Sequence, residues 1–414
     1  MDTPSAHPSL IRTIASRRML VSLLMGYACG LPLHLTLGVL QAWMKESGVD
    51  LTLIGLMSLV GLPYTLKFLW APIMDRYTLP FLGRRRGWLL VAQGALLISI
   101  VALGRTDPLQ TPWLVALAAL LVTLSSASQD IVVDAYRRED LADAELGFGS
   151  SLYVFGYRMG MLLAGGGGLI FADYLPFSMV YAIMAACLLP GILTTLLTPE
   201  PQTPEGTPKT LMDAVFQPLA EYLRRPGALW MLAFILFYKI GDTMASAMTM
   251  PLYLDLGFTK TQIGAITKIF GLWAVVAGGL VGGVAMMRLG INRSLWVFGF
   301  LQALSTAGFA LLAQIGPQVA ALAGVIAFEN ISSGMGTAAF VAFMASITNK
   351  RFTATQYALL SSLMGIPRVI AAAPTGFLAK YLGWEAFFIV CALIAVPGML
   401  MLLKFAPWGS RRAG

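Results

Sequence analysis

Residues 71–87 read A-P-I-M-D-R-Y-T-L-P-F-L-G-R-R-R-G. Asp75, Arg76, Arg84, Arg85 and Arg86 crowd into this stretch, and Pro80 and Gly83 interrupt any helix through it. On either side the chain turns apolar. Residues 51–73 hold Lys67 as their one charged residue, and residues 87–104 hold none. A bilayer core takes about 20 apolar residues per helix. The stretch therefore reads as a short, strongly basic loop between two membrane spans.

The same pattern extends along all 414 residues. The chain is 57% hydrophobic and 12% charged, with a mean hydropathy of +0.76. Soluble domains carry about 25% charged residues, so an ordinary soluble enzyme, a nucleic-acid binder and a disordered chain are excluded. Apolar runs fall at about 19–44, 51–73, 87–104, 112–136, 147–172, 176–197, 228–254, 259–287, 294–314, 317–347, 353–379 and 383–405. The first is too long for a cleaved signal peptide and contains Pro32. Ser332–Gly336 (S-S-G-M-G) interrupts the tenth. The fold class is an all-α membrane protein with twelve transmembrane helices in two pseudo-symmetric six-helix bundles, 1–197 and 228–414. The linker, 198–227, opens P-E-P-Q-T-P-E-G-T-P. Leu211, Val215, Leu219 and Leu223 then recur every four residues, as in an amphipathic helix lying along the membrane surface.

Charge sets the orientation. With the N-terminus inside, inside segments hold nineteen of the 28 Lys and Arg residues, among them Arg137 and Arg138 after span four. Outside segments hold four: Lys45, Arg105, Lys260 and Lys380. Both termini are thus expected in the cytoplasm. This bias accounts for the basic composition, so no nucleic-acid partner is expected. Cys29, Cys187 and Cys391 each sit in an apolar run and only two histidines occur. Neither a disulfide framework nor a metal site is expected, and no cofactor. No catalytic constellation and no G-x-x-x-x-G-K-[ST] loop is present, so the chain reads as neither an enzyme nor a built-in ATPase.

Nine ionisable residues remain inside the spans: Lys67, Asp130, Asp134, Arg158, Lys239, Asp242, Lys268, Glu329 and Arg368. Each costs about 2.5–3.5 kcal/mol to insert, so each needs a partner or a wet cavity. Their positions repeat at a spacing of about 200 residues: Lys67 with Lys268, Asp130 with Glu329, Arg158 with Arg368. Parallel repeats of this kind build the two halves of major facilitator transporters. The cavity reading has Lys67, Arg158, Lys268 and Arg368 contacting an anionic ligand, with Arg158 and Arg368 facing one another. Tyr157 and Asn330 add contacts, and Asp130, Asp242 and Glu329 pair with the bases or carry protons. The other reading is internal salt bridges that only fasten helices. Lys239 and Asp242, three apart, fit that reading. So does Asp134, near enough to the loop arginines to meet Arg76, Arg84, Arg85 or Arg86. The run Gly165–Gly168 reads as a close helix-packing face.

Residues 71–87 also resemble the loop signature of the major facilitator superfamily. Asp75, Arg76, Gly83, Arg84, Arg85 and Arg86 take the matching places, with Arg288, Gly290 and Arg293 as a reduced copy after span eight. In that family the loop helps latch the cytoplasmic gate. G-L-P-L-H-L-T-L-G-V-L-Q-A-W-M, K-F-L-W-A-P-I-M-D-R-Y, S-A-S-Q-D-I-V-V-D-A-Y, F-E-N-I-S-S-G-M-G-T-A-A-F-V-A and T-N-K-R-F-T-A-T-Q-Y-A-L-L-S resemble the AmpG permease family more narrowly. The resemblance implies a secondary transporter in the bacterial inner membrane, working as a monomer among lipids and importing a bulky small molecule, with protons as a candidate partner. Two branches are open: single-subunit siderophore permeases typified by FptX, which carry ferric pyochelin, and the anhydromuropeptide permeases of cell-wall recycling. The compact chain, ending soon after span twelve, favours the siderophore branch.

Overall fold

The computed structural model describes residues 16–202, 211–365, 371, 374–406 and 408. Every regular element among them is helical. Among the described residues nine helices are long and apolar enough to cross a membrane, from Arg17–Glu46 to Thr375–Lys404. Gly264–Ile315 holds two expected spans and turns at Gly290 (φ 76°), and Thr375–Lys404 joins the end of span eleven to span twelve by a turn at Gly383 (φ 76°). Span two is broken instead into short α and 3-10 pieces between Leu51 and Arg76. Span eleven begins with the shorter helix Thr353–Leu363. Each of the twelve expected runs thus has a helical counterpart.

Three boundaries differ from expectation. Span four runs from Pro112 to Asp140, so Arg137 and Arg138, expected in a loop, are buried on its last turn. Span ten is continuous over Val319–Ile347, through the expected interruption at Ser332–Gly336. Its small residues admit a neighbouring backbone there: a Cβ on Gly334 would lie 2.2 Å from the Val275 carbonyl oxygen. Span seven breaks at Tyr238 and Lys239, between the helices Ala228–Phe237 and Ile240–Asp255.

The chain divides into two compact units, Met1–Pro63 with Thr78–Thr203, and Tyr64–Tyr77 with Pro204–Gly414. In the first, spans one and five cross at four glycines. A Cβ on Gly26, Gly30, Gly156 or Gly160 would sit 2.1, 1.9, 2.0 or 2.2 Å from a carbonyl oxygen of the facing helix. Glycines four apart lie on one helix face, which lets two backbones touch. The run Gly165–Gly168 does not serve this way as a whole. Consecutive glycines point around the helix, and most of the run lies in a π-helical turn, Leu163–Gly167. Leu31, Leu35, Leu96 and Tyr181 anchor the first core. Phe309, Phe387, Phe388 and Tyr253 anchor the second.

The basic loop after span two has the conformation its sequence asks for. Gly83 has φ 86°, a region that costs other residues strain. Gly290, in the reduced copy after span eight, has φ 76°. The same backbone turn therefore recurs at matching places of the repeat.

Candidate functional site

At the basic ends of the spans, each unit holds a network of acids and their donors. In the first unit Arg84 and Arg85 both reach Glu139 on span four, at 3.1 and 2.6 Å, with all three side chains buried. Glu200, just past span six, accepts from the backbone N–H groups of Arg85 and Arg86 at 2.6 and 3.0 Å. These are orphan donors at the start of span three, and a carboxylate there satisfies them and complements the helix dipole. The Arg86 side chain donates to the carbonyls of Thr195 and Leu196, at the end of span six.

In the second unit Asp75 accepts from the backbone N–H groups of Ala354 and Thr355 at 3.3 and 2.8 Å, and from the Thr355 hydroxyl at 2.7 Å. The carboxylate thus caps the first turn of span eleven. Beside it, Gln356 donates to Glu221 at 2.6 Å and to the Pro218 carbonyl at 3.0 Å. Both acceptors lie on the linker helix, Leu211–Arg224. Arg225 closes the group by pairing with Glu221 at 2.7 Å and donating to the Ile347 carbonyl. Arg76 stacks over Tyr77.

Deeper in the first unit, Asp134 pairs with Arg137 at 3.2 Å on its own helix. Arg137 also donates to the Ser150 hydroxyl at 2.7 Å and lies over the Tyr153 ring. Asp130 is buried one turn before Asp134, where Gln129 contacts Cys29 at 3.5 Å. Arg158 is half-buried on span five, and its Nε makes no hydrogen bond among the described residues. Tyr157 beside it stands near Tyr153, ring centroids 6.1 Å apart. His34, at the end of the first part of span one, faces Gly165.

The expected lysine pair lies on segments that depart from α-helix. Lys67 is buried in a 3-10 turn, Lys67–Leu69, within the second unit's share of span two. Lys268 lies in a π-helical turn, Gly264–Phe270, and its side chain is outside the described residues. Such turns often mark functional positions. Arg368 lies outside the described residues as well. In the second unit Lys239 bonds Asp242 at 3.3 Å, as their spacing implied, and approaches the Thr337 hydroxyl at 3.4 Å. The Ser305 hydroxyl lies 2.6 Å from Glu329. Asn330 donates to the Ile326 carbonyl of its own helix at 2.9 Å.

Sequence reading missed Glu139, Glu200, Glu221 and Thr355. Glu139 and Glu200 lie just beyond expected spans, Glu221 lies in the linker, and Thr355 lies in the first turn of span eleven. Pairing every acid near a span end with that charge bias would have raised the three acids. Gln302, Ser305 and Thr337 had no signal beyond being polar in an apolar run.

The comparisons agree with this geometry. A model of the Major Facilitator Superfamily matches residues 19–372, and again 242–412. The chain belongs to the major facilitator superfamily. It is 44% identical over 396 residues to the anhydromuropeptide permease of Escherichia coli K12, covering 95% of this chain and 80% of that protein. It is 30% identical to a putative AmpG transporter of Rickettsia conorii, covering 93% and 96%. The fucose:proton symporter of E. coli shares the fold, with a TM-score of 0.72 at 14% identity over 93% of this chain and 97% of that one. The chain is an AmpG-like permease, a multi-pass secondary transporter and not an enzyme. The siderophore branch finds no support among these relatives. The length argument for it also falls, since the Rickettsia relative is matched along nearly its whole length and still bears the AmpG name.

Proposed function

We propose that the protein imports anhydromuropeptides across the inner membrane of a bacterium, with both termini and the basic ends of its spans in the cytoplasm. The carrying observation is the 44% identity to the E. coli permease over 95% of this chain. An anhydromuropeptide presents carboxylates on its peptide, and the free bonding capacity of Arg158 suits one. Lys67, Lys268 and Arg368 add positive charge, with Tyr157 and Asn330 as neighbouring contacts. Asp130 balances the bases of the first half.

Alternating access in this reading rocks residues 1–197 against 228–414, joined by 198–227 and working as a monomer. Asp75, Arg76, Arg84, Arg85 and Arg86 form the cytoplasmic gate. The cap that Asp75 places on span eleven holds residues 64–77 in the second unit. Opening on that side releases the cap and returns the segment to its own bundle.

The test uses a strain deleted for its muropeptide permease and supplied with this chain. It is fed labelled anhydromuropeptide and, separately, a labelled ferric siderophore. Uptake of the muropeptide alone is expected, and uptake of the siderophore alone refutes the reading. A reporter fused after Gly414 should be active only in the cytoplasm.

A further inference from the structure

We propose that Asp242 and Glu329 together form the site of the coupling proton, held by one polar cluster inside the second unit. This deepens the import reading and rests on it for the direction of transport, but the proton site itself is a property of the protein without ligand.

The cluster is built by three spans. Span seven breaks at Lys239, which opens the helix just before Asp242. Span nine contributes Gln302 and Ser305, and span ten contributes Glu329 and Thr337. Around them lie apolar side chains, including Met244, Tyr253, Phe309 and Ile326. Asp242 and Gln302 line one cavity, and the Ser305 hydroxyl bridges the Gln302 carbonyl and the Glu329 carboxyl. Lys239 is the single ammonium described there, bonded at 3.3 Å to Asp242. Among the described residues, two carboxylates and one ammonium leave one negative charge there, and one proton on the acid pair removes it.

The hydroxyl of Ser305 says where such a proton can sit. It lies 2.6 Å from Glu329 Oε2 and 2.9 Å from the Gln302 carbonyl oxygen. A hydroxyl has one hydrogen to give. When it goes to the Gln302 carbonyl, the 2.6 Å contact needs its hydrogen from Glu329, which is then a carboxylic acid. When Glu329 is ionised, Ser305 turns its hydrogen to the carboxylate. The same atoms thus satisfy both protonation states without moving the backbone. The proton that leaves Glu329 has a neighbouring acceptor in Asp242. From there a cavity of about 10 Å³, roughly the volume that admits one water, is lined by Asp242, Gln302, Thr306 and Tyr238. Gln302 Nε2 is buried without a hydrogen bond among the described residues.

The side chains of Lys268 and Arg368, on the same half, fall outside the described residues. Span seven supplies Lys239, Tyr238 and Tyr253, and span twelve supplies Cys391. Span nine supplies only neutral Gln302, Ser305 and Thr306.

Two measurements test the site. In infrared spectra of the purified, ligand-free protein at neutral pH, the wild type should show a carboxylic-acid C=O band that Glu329→Gln or Asp242→Asn removes. Absence of any such band, or a band that survives both substitutions, overturns the proposal whatever the ligand. In proteoliposomes, an inward proton gradient should drive labelled anhydromuropeptide above equilibrium. Glu329→Gln should lose that accumulation while keeping counterflow exchange of labelled for unlabelled ligand. Accumulation that persists in Glu329→Gln, or that a sodium gradient drives instead, overturns it. A wild type that shows the band but neither accumulates nor exchanges the muropeptide refutes the ligand reading alone. Ser305→Ala keeps both carboxyls and guards against a folding defect: coupled transport should survive with its pH profile displaced, and an unchanged profile counts against the site.

Discussion

At the basic end of the spans Glu139 is gripped by two buried arginines, and Asp75 accepts three hydrogen bonds from the start of span eleven. Midway along their spans, Lys239 holds Asp242 and Thr337 at the longer distances of 3.3 and 3.4 Å. Arg158 Nε and Gln302 Nε2 bond nothing among the described residues, whereas Arg84, whose Nε and Nη1 also lack a bond there, is still held to Glu139 through Nη2. The two regions carry the same residue types to different ends. A carboxylate surrounded by donors fixes one arrangement, because every donor must be abandoned to leave it. A polar group with bonding capacity in reserve can accept a ligand or a proton without first losing a partner. The basic end is therefore suited to hold a conformation, and the middle to meet what passes through.

Substitutions should separate the two. Glu139→Ala removes the buried carboxylate that Arg84 and Arg85 share, and breaking a buried pair costs about 3–5 kcal/mol. Thermal denaturation should show the largest loss of stability in this variant, with transport failing because folded protein is scarce. Asp75→Asn keeps shape but removes the charge from the cap on span eleven. Charged hydrogen bonds contribute about 1.5–3 kcal/mol, a shift of roughly 10- to 100-fold between the two access states. Cysteine labelling from each side should detect that shift while the melting temperature moves little. Arg158→Ala should abolish muropeptide uptake with unchanged melting. If its melting fell as far as that of Glu139→Ala, Arg158 would belong with the structural pairs and the contrast would fail. Gln302→Leu should change melting least, because its Nε2 has no hydrogen bond among the described residues to lose. A large loss there would mean that the mid-span cluster is as tightly held as the basic end.

Much of this was legible in the sequence because membrane spans are written as long apolar runs. The repeat was legible because charge is rare enough in them for Lys67 and Lys268, or Asp130 and Glu329, to stand out. Gly83 and Gly290 marked the matching loops, and both adopt the turn that glycine alone enters without strain. The breaks within spans were not legible. Hydropathy sees neither the 3-10 turn at Lys67 nor the break at Lys239, since both lie in runs that stay apolar. Partners across the fold were hidden for another reason. Glu139 lies 54 residues from Arg85 and Glu200 lies 115 from it, and no local spacing rule relates them. The linker helix was foreseen as amphipathic, but its hold on Gln356 needs the second unit folded around it. Chain length does not separate the siderophore and muropeptide branches, since an AmpG-named relative is matched over 96% of its length.

Direct binding tests the import reading most sharply. Purified protein is heated with and without anhydromuropeptide, since a ligand that binds only the folded state raises the melting temperature with its concentration. The account predicts a concentration-dependent rise with the muropeptide, no rise with a ferric siderophore, and loss of the rise in Arg158→Ala. A rise with the siderophore and none with the muropeptide would contradict it.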